Sequence, residues 1–429
     1  MKNLLTLLIL LLPLPLHAQT LTLDEVVKTV RETHPAIESA KQDAESAKQM
    51  KKAESWLEDP MVGVMFEEVP LNSPSPGNAD MTDYMVSQKL PFPSVLVTKN
   101  RALDAEYKAK LQMAIGRERE RVFDAKKTYF ELVAARNELK AQKAILGNYR
   151  QMVVSLETEY KTRGDKPAPS KEMSPGMETG ALDMSTGSLF SDLMMAKMKK
   201  AEAEAAVYDL EHKEKTASAR LNLMMGREAM TPIAKLEEPK VKKLSWDEKT
   251  LEQKLLAQNS DLKAMEWMVK KMEKEVSLAW QDLIPMVEPE FQYNRRQNMD
   301  NAYTLGINLN IPLWLNKKSH NISRAKAEQR KAKSELEAGV LDMKSSLHFL
   351  IHYAMEHRKI VLKYRGEVLP LARSAWNSAE TAYQAGVISS SNLLQKLIGY
   401  HEASKMYWDI WMDYQMEYAM LEAMVGEEL

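Results

Sequence analysis

Two kinds of periodicity divide this chain. Leu336, Val340, Met343, Leu347, Leu350, Ala354, His357, Val361, Tyr364, Val368, Leu371 and Ala375 fall alternately four and three residues apart. Leu393, Leu397, Tyr400, Ser404, Tyr407, Trp411, Tyr414, Tyr418, Leu421 and Val425 do the same. A sustained 3–4 alternation holds one seam against a neighbouring helix, so the spacing predicts two long helices, 318–385 and 391–425. Between them lies Tyr383-Gln-Ala-Gly386-Val-Ile-Ser-Ser-Ser-Asn-Leu-Leu-Gln395. Its glycine suits the left-handed residue that closes a helix, and Ser-Ser-Ser-Asn suits the cap of the next. This stretch is the expected tip of an antiparallel helical hairpin.

The earlier half repeats the pattern. Val122, Ala125, Tyr129, Leu132, Ala135, Leu139, Gln142, Leu146, Tyr149, Val153, Leu156 and Tyr160 form one seam of a predicted helix 94–163. It ends at Tyr160-Lys-Thr-Arg-Gly164, and Ser188-Leu-Phe-Ser-Asp-Leu-Met-Met opens a return helix over 188–226. At a rise of 1.5 Å per residue, helices of roughly 70 residues would be about 100 Å long. Near the start, Leu23–Glu58 reads as helical with an early break at Pro35.

The second periodicity is two. In Tyr303–Ile311, Tyr303, Leu305, Ile307, Leu309 and Ile311 share one face, while Thr304, Gly306, Asn308 and Asn310 share the other. Met286–Asn294 alternates likewise, with Val287, Phe291 and Tyr293 against Glu288, Glu290, Gln292 and Asn294. In the first half Val62, Val64 and Phe66 oppose Glu67, and Tyr84, Val86, Leu90 and Phe92 oppose Asp83, Ser87 and Lys89. Loops at Val69–Asp80 and Arg295–Asn301 make each pair a hairpin. The lengths approach the ~10 residues of a tilted membrane strand; the competing reading is a half-buried soluble sheet. Four strands cannot close a barrel, and lipid does not tolerate open edges. Strands in a membrane would therefore require several copies of the chain. Each pair leads into a long helix through a proline signal, Leu90-Pro-Phe-Pro93 and Ile311-Pro-Leu-Trp314.

The chain thus reads as a tandem duplication. Residues 19–240 hold a helix, strand pair 60–92, helices 94–163 and 188–226, and an inserted tip loop 165–187. Residues 241–429 hold a helix, strand pair 286–312, and helices 318–385 and 391–425. Between the copies, Thr231–Lys243 is rich in proline and charge and has no helical period.

Taken with this duplication, Tyr-x-x-Gly followed by Ser and Asn-Leu-Leu-Gln at Tyr383–Gln395 resembles the helix-turn-helix tip of the TolC-type outer-membrane efflux channels. The resemblance covers essentially the whole mature chain. It implies a mainly α fold with a small β part: an α-helical coiled-coil barrel continuous with a transmembrane β-barrel, four strands per protomer, closed as a homotrimer. It implies a passive exit duct in the outer membrane extending into the periplasm. An inner-membrane pump of the RND type would drive it, joined by a periplasmic adaptor contacting the tips at Tyr160, Gly164, Tyr383 and Gly386. The family narrows its periplasmic entrance with acidic rings, and the matching positions are Asp192, Asn392 and Gln395, of which only Asp192 keeps the charge. Three Asp192 side chains would favour cations; an acid favoured by a helix N-terminus is the competing account. The family's glycine after the proline turn is missing from both copies. His34-Pro-Ala-Ile37 and Trp56-Leu-Glu-Asp-Pro-Met61 look most like its heavy-metal cation branch.

Composition narrows the rest. Residues 1–18 read as a secretory signal: Lys2, an apolar run broken by Pro13 and Pro15, and cleavage expected after Ala18. No later run is long and apolar enough for a membrane helix. With 59 Lys+Arg against 60 Asp+Glu, no nucleic-acid surface is implied. The absence of cysteine excludes disulfides, thiolate metal sites, a catalytic thiol and a lipidated cysteine. No H-E-x-x-H, P-loop or nucleophile elbow occurs, so the chain is expected to be no enzyme and to need no cofactor.

Two patterns could bind metal. Met173, Met177 and Met184 lie in the inserted loop, with Met194, Met195 and Met198 beyond it. Thioethers select Cu(I), but 29 methionines make a flexible Met-rich extension the plainer account. His348, His352 and Glu356 lie at i, i+4, i+8 with His357 beside them, a bidentate spacing that more often belongs to solvated or hydrogen-bonded histidines. Glu288 and Glu290 form a weaker cation-favouring pair on the polar strand face. The run Tyr407, Trp408, Trp411, Tyr414 and Tyr418 has the spacing of helix packing. A soluble periplasmic coiled-coil adaptor or scaffold is the alternative function; it leaves the duplicated strand pairs with an apolar face unexplained.

Overall fold

The computed structural model describes residues 20–164, 185–233, 235–243, 247–297 and 299–429. The predicted signal 1–18 and Met173, Met177 and Met184 lie outside them. Among the described residues no helix is long and apolar enough to cross a membrane. The chain forms two compact units, each drawing on both sequence repeats. Of the described residues, one comprises those up to His34, those between Glu120 and Glu248, and His348–Leu429; the other comprises Pro35–Arg119 and those between Lys249 and Leu347.

The second of these units carries the sheet. It contains α2 (Pro35–Ala53), β1 (Met61–Glu67), β2 (Met81–Ser87) and the start of α3 (Pro93–Gly164). From the second repeat come α5 (Glu248–Gln258, from Lys249), α6 (Ser260–Gln281), β3 (Met286–Arg296), β4 (Ala302–Asn310) and the start of α7 (Leu315–Lys363). The four strands form one antiparallel sheet in the order β1-β2-β3-β4. The two predicted hairpins are therefore joined edge to edge by β2 and β3. The strands are shorter than the predicted pairs at one end: β2 stops at Ser87, and Leu90 makes only an isolated bridge to Val287. Pro289 gives the reason. The register pairs Ser87 with Glu290, so Gln88 faces Pro289. Gln88 N–H donates to the Pro289 carbonyl at 3.1 Å, but proline has no N–H to return the second bond. One pair later, Leu90 and Val287 exchange both bonds in unbroken register.

The first helix splits where proline required it. Thr22 and Glu25 form a capping box for α1 (Leu23–Thr33), each side chain meeting the other's backbone N–H at 3.2 Å. His34 is the C-cap, and Pro35 opens α2, which ends at Ala53 instead of reaching Glu58. Asn259 separates α5 from α6; its side chain accepts the N–H groups of Asp261 and Leu262, both at 3.0 Å.

The other unit holds α1, the rest of α3, α4 (Ser185–Met224), the end of α7, α8 (Leu369–Gln384) and α9 (Ser390–Val425). The predicted single helix 318–385 is corrected here. A π turn at Tyr364–Val368 interrupts it, with Leu369 N–H reaching back five residues to the Tyr364 carbonyl. Pro370 has no N–H for the Gly366 carbonyl and its ring crowds that turn, so the helix widens by one residue. The seam had survived this proline because a 3–4 count registers apolar positions, not missing donors. α4 also begins three residues earlier than predicted, inside the expected loop.

The proline-rich stretch between the repeats is ordered by side chains that satisfy its carbonyls. Asn222 donates to Ala229 and Thr231 at 3.1 and 2.7 Å, and Arg136 to Ile233 at 2.9 Å. Gln415 reaches Pro239 and Lys240, each at 3.3 Å, and Arg358 and Tyr414 both donate to Lys242. Leu21 pairs in parallel with Leu236, and the buried Tyr129 hydroxyl lies 2.7 Å from the Glu237 carbonyl and 3.0 Å from that of Leu21. Burial pushes the Tyr129 phenol up, so it remains a donor. Beside it Lys126 Nζ meets Glu422 Oε2 at 2.6 Å, with the side chains only 12% and 8% exposed.

Glu422→Ala strands the buried Lys126 ammonium and is expected to cost about 3–5 kcal/mol in denaturant unfolding of the extracted protein. Tyr129→Phe removes the hydroxyl from the Glu237 carbonyl, while the Leu21 carbonyl keeps the Glu237 N–H, and is expected to cost ~1 kcal/mol in the same measurement.

Candidate functional site

Two regions carry the predicted site features: the sheet and the helical tips. In the sheet, register places Val62, Val86, Phe291 and Leu305 in one cross-strand row, and Val64, Tyr84, Tyr293 and Tyr303 in the next. Pro289–Ile307 and Val287–Leu309 continue the same face. These side chains point outward without cover: Val62, Ile307, Leu305 and Tyr303 are 70–73% exposed. Phe291 stacks on Tyr303 with centroids 6.5 Å apart. The opposite face is a hydrogen-bonded polar layer. Asp83 accepts from Asn294 Nδ2 at 2.7 Å and from Gln292 Nε2. Thr304 donates to Asn294 Oδ1 at 3.1 Å, Ser87 to Glu288 at 2.8 Å, and Asn308 to Glu290 at 2.9 Å. Glu288 and Glu290 thus lie on the polar face as predicted, each already holding a donor. Sequence alternation had ranked Asp83 as one polar position among several; its place at the centre of the network follows from the β2–β3 register.

The outer edges of β1 and β4 pair with no strand among the described residues. A long edge beside an exposed apolar face is the arrangement soluble proteins avoid.

The tip of the second repeat has the geometry its residues predicted. Gly386 has φ +72°, its N–H donates to Tyr383 O at 2.9 Å, and Val387 N–H donates to Ala382 O at 2.9 Å. That pair of bonds is a Schellman closure. Ser389 caps α9 by accepting the Asn392 N–H at 3.4 Å. Gly164 is the last residue of α3. Around the tips, Leu146, Tyr149, Leu156, Leu193, Leu394 and Leu397 belong to one buried core drawn from both repeats. Tyr383 packs at its edge and donates its hydroxyl to Glu159 at 3.1 Å. Tyr160 rests against Phe190, centroids 5.8 Å apart.

Asp192 is half-buried and accepts a hydrogen bond from Ser390, so it joins the two return helices within one protomer. It is the eighth residue of α4, past the first turn where the helix dipole acts. Asn392 and Gln395 are exposed. The pairings Glu159–Tyr383 and Ser390–Asp192 carried no sequence signal, because the partners are far apart along the chain.

The histidines are brought to separate partners. His348 Nδ1 lies 2.6 Å from Glu248, His352 packs against Tyr353, His357 Nδ1 lies 2.9 Å from Glu417, and Glu356 pairs with Lys359. No group of three His, Asp or Glu side chains able to hold a metal occurs among the described residues. Met194, Met195 and Met198 are exposed on α4.

Residues 251–427 match the model of the family described as outer membrane efflux protein. The fold is similar to that of the outer-membrane channel OprN, at 14% identity and TM-score 0.76, over 94% of this chain and 89% of that one. It is similar to the outer membrane protein VceC of Vibrio cholerae at 14% identity and TM-score 0.74, over 94% and 96%. CusC matches at 14% identity and TM-score 0.75, over 94% and 92%. No curated protein sequence matches the chain. Residues 251–427 thus carry the family's sequence pattern, and the chain as a whole shares the fold of these solved channels. The identities to OprN and CusC are equal and favour neither.

Gly386→Ala meets no neighbouring atom within 4 Å, so its cost is the left-handed backbone alone, ~1–2 kcal/mol. Faster amide exchange confined to Ala382–Asn392 is the expected readout.

Proposed function

We propose that the chain is the passive exit duct of a tripartite efflux system in the outer membrane. Three copies would join their four-stranded sheets into one barrel, apolar faces to lipid and Asp83, Glu288 and Glu290 to the lumen. A periplasmic adaptor would grip the tips around Gly164 and Gly386, and an inner-membrane pump of the RND type would supply the energy. The observation that carries this reading is the uncovered apolar sheet face flanked by two open edges. A soluble adaptor or scaffold would leave both in water. The chain itself performs no chemistry: polar side chains, not reactive ones, line the face opposite the lipid. The proposed substrates are heavy-metal cations or drugs; for soft cations the exposed thioethers of Met194, Met195 and Met198 are suitable contacts.

The duct is expected in the outer-membrane fraction as a detergent-requiring trimer by native mass determination. A monomer released with the periplasm would remove the reading. Leu305→Lys, which puts a charge on the lipid face, is expected to cost ~2–4 kcal/mol and to abolish assembly, whereas Thr304→Lys on the other face leaves the trimer intact. Asp192→Asn keeps the bond to Ser390 and loses the charge; single-channel recording is expected to show reduced cation preference. A deletion strain is expected to lose copper and silver tolerance, and normal tolerance would discard the soft cations.

A further inference from the structure

The unit that carries the sheet has a groove immediately below the β2–β3 ladder. Leu57, Leu90, Phe92, Leu96, Val97 and Val287 line it, and its volume is about 620 Å³, within the ~300–1,000 Å³ of ligand clefts. Three prolines, Pro91, Pro93 and Pro285, complete the wall. No lining side chain bears a charge or a hydrogen-bonding group, and the prolines lack a backbone N–H as well. A polar ligand would find almost nothing to hold it. A flexible aliphatic chain would lose only water contact.

The groove is open, with Leu57 45%, Phe92 55% and Val97 50% exposed. It is also continuous with the apolar sheet face. Leu90 and Val287 exchange backbone bonds in the strand register, and Val287 lies on the same side as Phe291, Leu305 and Ile307. Trp56, 79% exposed, neighbours Leu57 in sequence, an amphipathic ring of the kind enriched where membrane meets water.

We infer that this groove binds an acyl chain of a membrane glycerophospholipid, extending the lipid-facing belt below the strands. The inference rests on the reading of the sheet as membrane-spanning. A bound chain would cover the prolines at the strand-to-helix turn, where the register has already lost one hydrogen bond at Pro289.

Site-specific photo-crosslinking in intact cells tests it. Benzoylphenylalanine replaces Val97 in the groove, Leu305 on the sheet face, or the exposed Leu371 in the other unit, and adducts are identified by mass. Phospholipid adducts at positions 97 and 305 but not 371 are expected. Lipid at 305 with none at 97, or a protein adduct at 97, overturns the groove and leaves the membrane reading standing. No lipid at 305 removes both. Equal lipid capture at 371 also overturns the site, because capture would then be unspecific. In parallel, Val97→Glu is expected to lose co-purifying phospholipid while trimer mass and membrane fraction stay unchanged; undiminished phospholipid contradicts the inference.

Discussion

The outer edges of β1 and β4 impose the constraint on which the rest depends. Each edge exposes backbone donors and acceptors that hydrocarbon cannot satisfy, and each borders a face of Val, Leu, Ile, Phe and Tyr that water does not favour. Neither problem can be solved inside one protomer, because four strands are too few to close. In the proposed duct, copies of the chain supply the missing partners. Under that proposal oligomerisation is a backbone hydrogen-bonding requirement, and the apolar face decides which solvent the closed sheet would meet.

The helical unit meets a different version of the same accounting. Its inter-repeat stretch contains prolines, so apart from the Leu21–Leu236 bridge its carbonyls have no ladder to join. Asn222, Arg136, Gln415, Arg358, Tyr414 and Tyr129 reach out from the helices and satisfy them one by one. A loop held this way is part of the packed body. The cost is specificity: each of those side chains is usable only in one place, and the buried Lys126–Glu422 pair makes the arrangement intolerant of losing one partner.

Proline acts as the common local modifier. Pro35 splits the first helix, Pro289 removes one ladder bond without shifting register, and Pro370 turns five residues of a long helix into a π turn. In all three the missing N–H explains the change. Only at Pro35 was the effect read beforehand, from the proline itself. At Pro370 the seam ran through undisturbed, and at Pro289 the alternation of Val287, Phe291 and Tyr293 concealed it.

The sequence by itself determined what depends on near neighbours. The 3–4 seams, the alternating strands, the glycine closure at Gly386 and the Ser389 cap are local, since side-chain direction and φ preference are set within a few residues. The tertiary structure decided whatever joins distant positions: the β2–β3 pairing that merges two hairpins, Asp83 as the centre of a polar network, and Asp192 bonded to Ser390. It also separated His348, His352 and His357 onto different partners. Such contacts depend on register and packing between residues one or two hundred positions apart, and no periodicity along the chain encodes them.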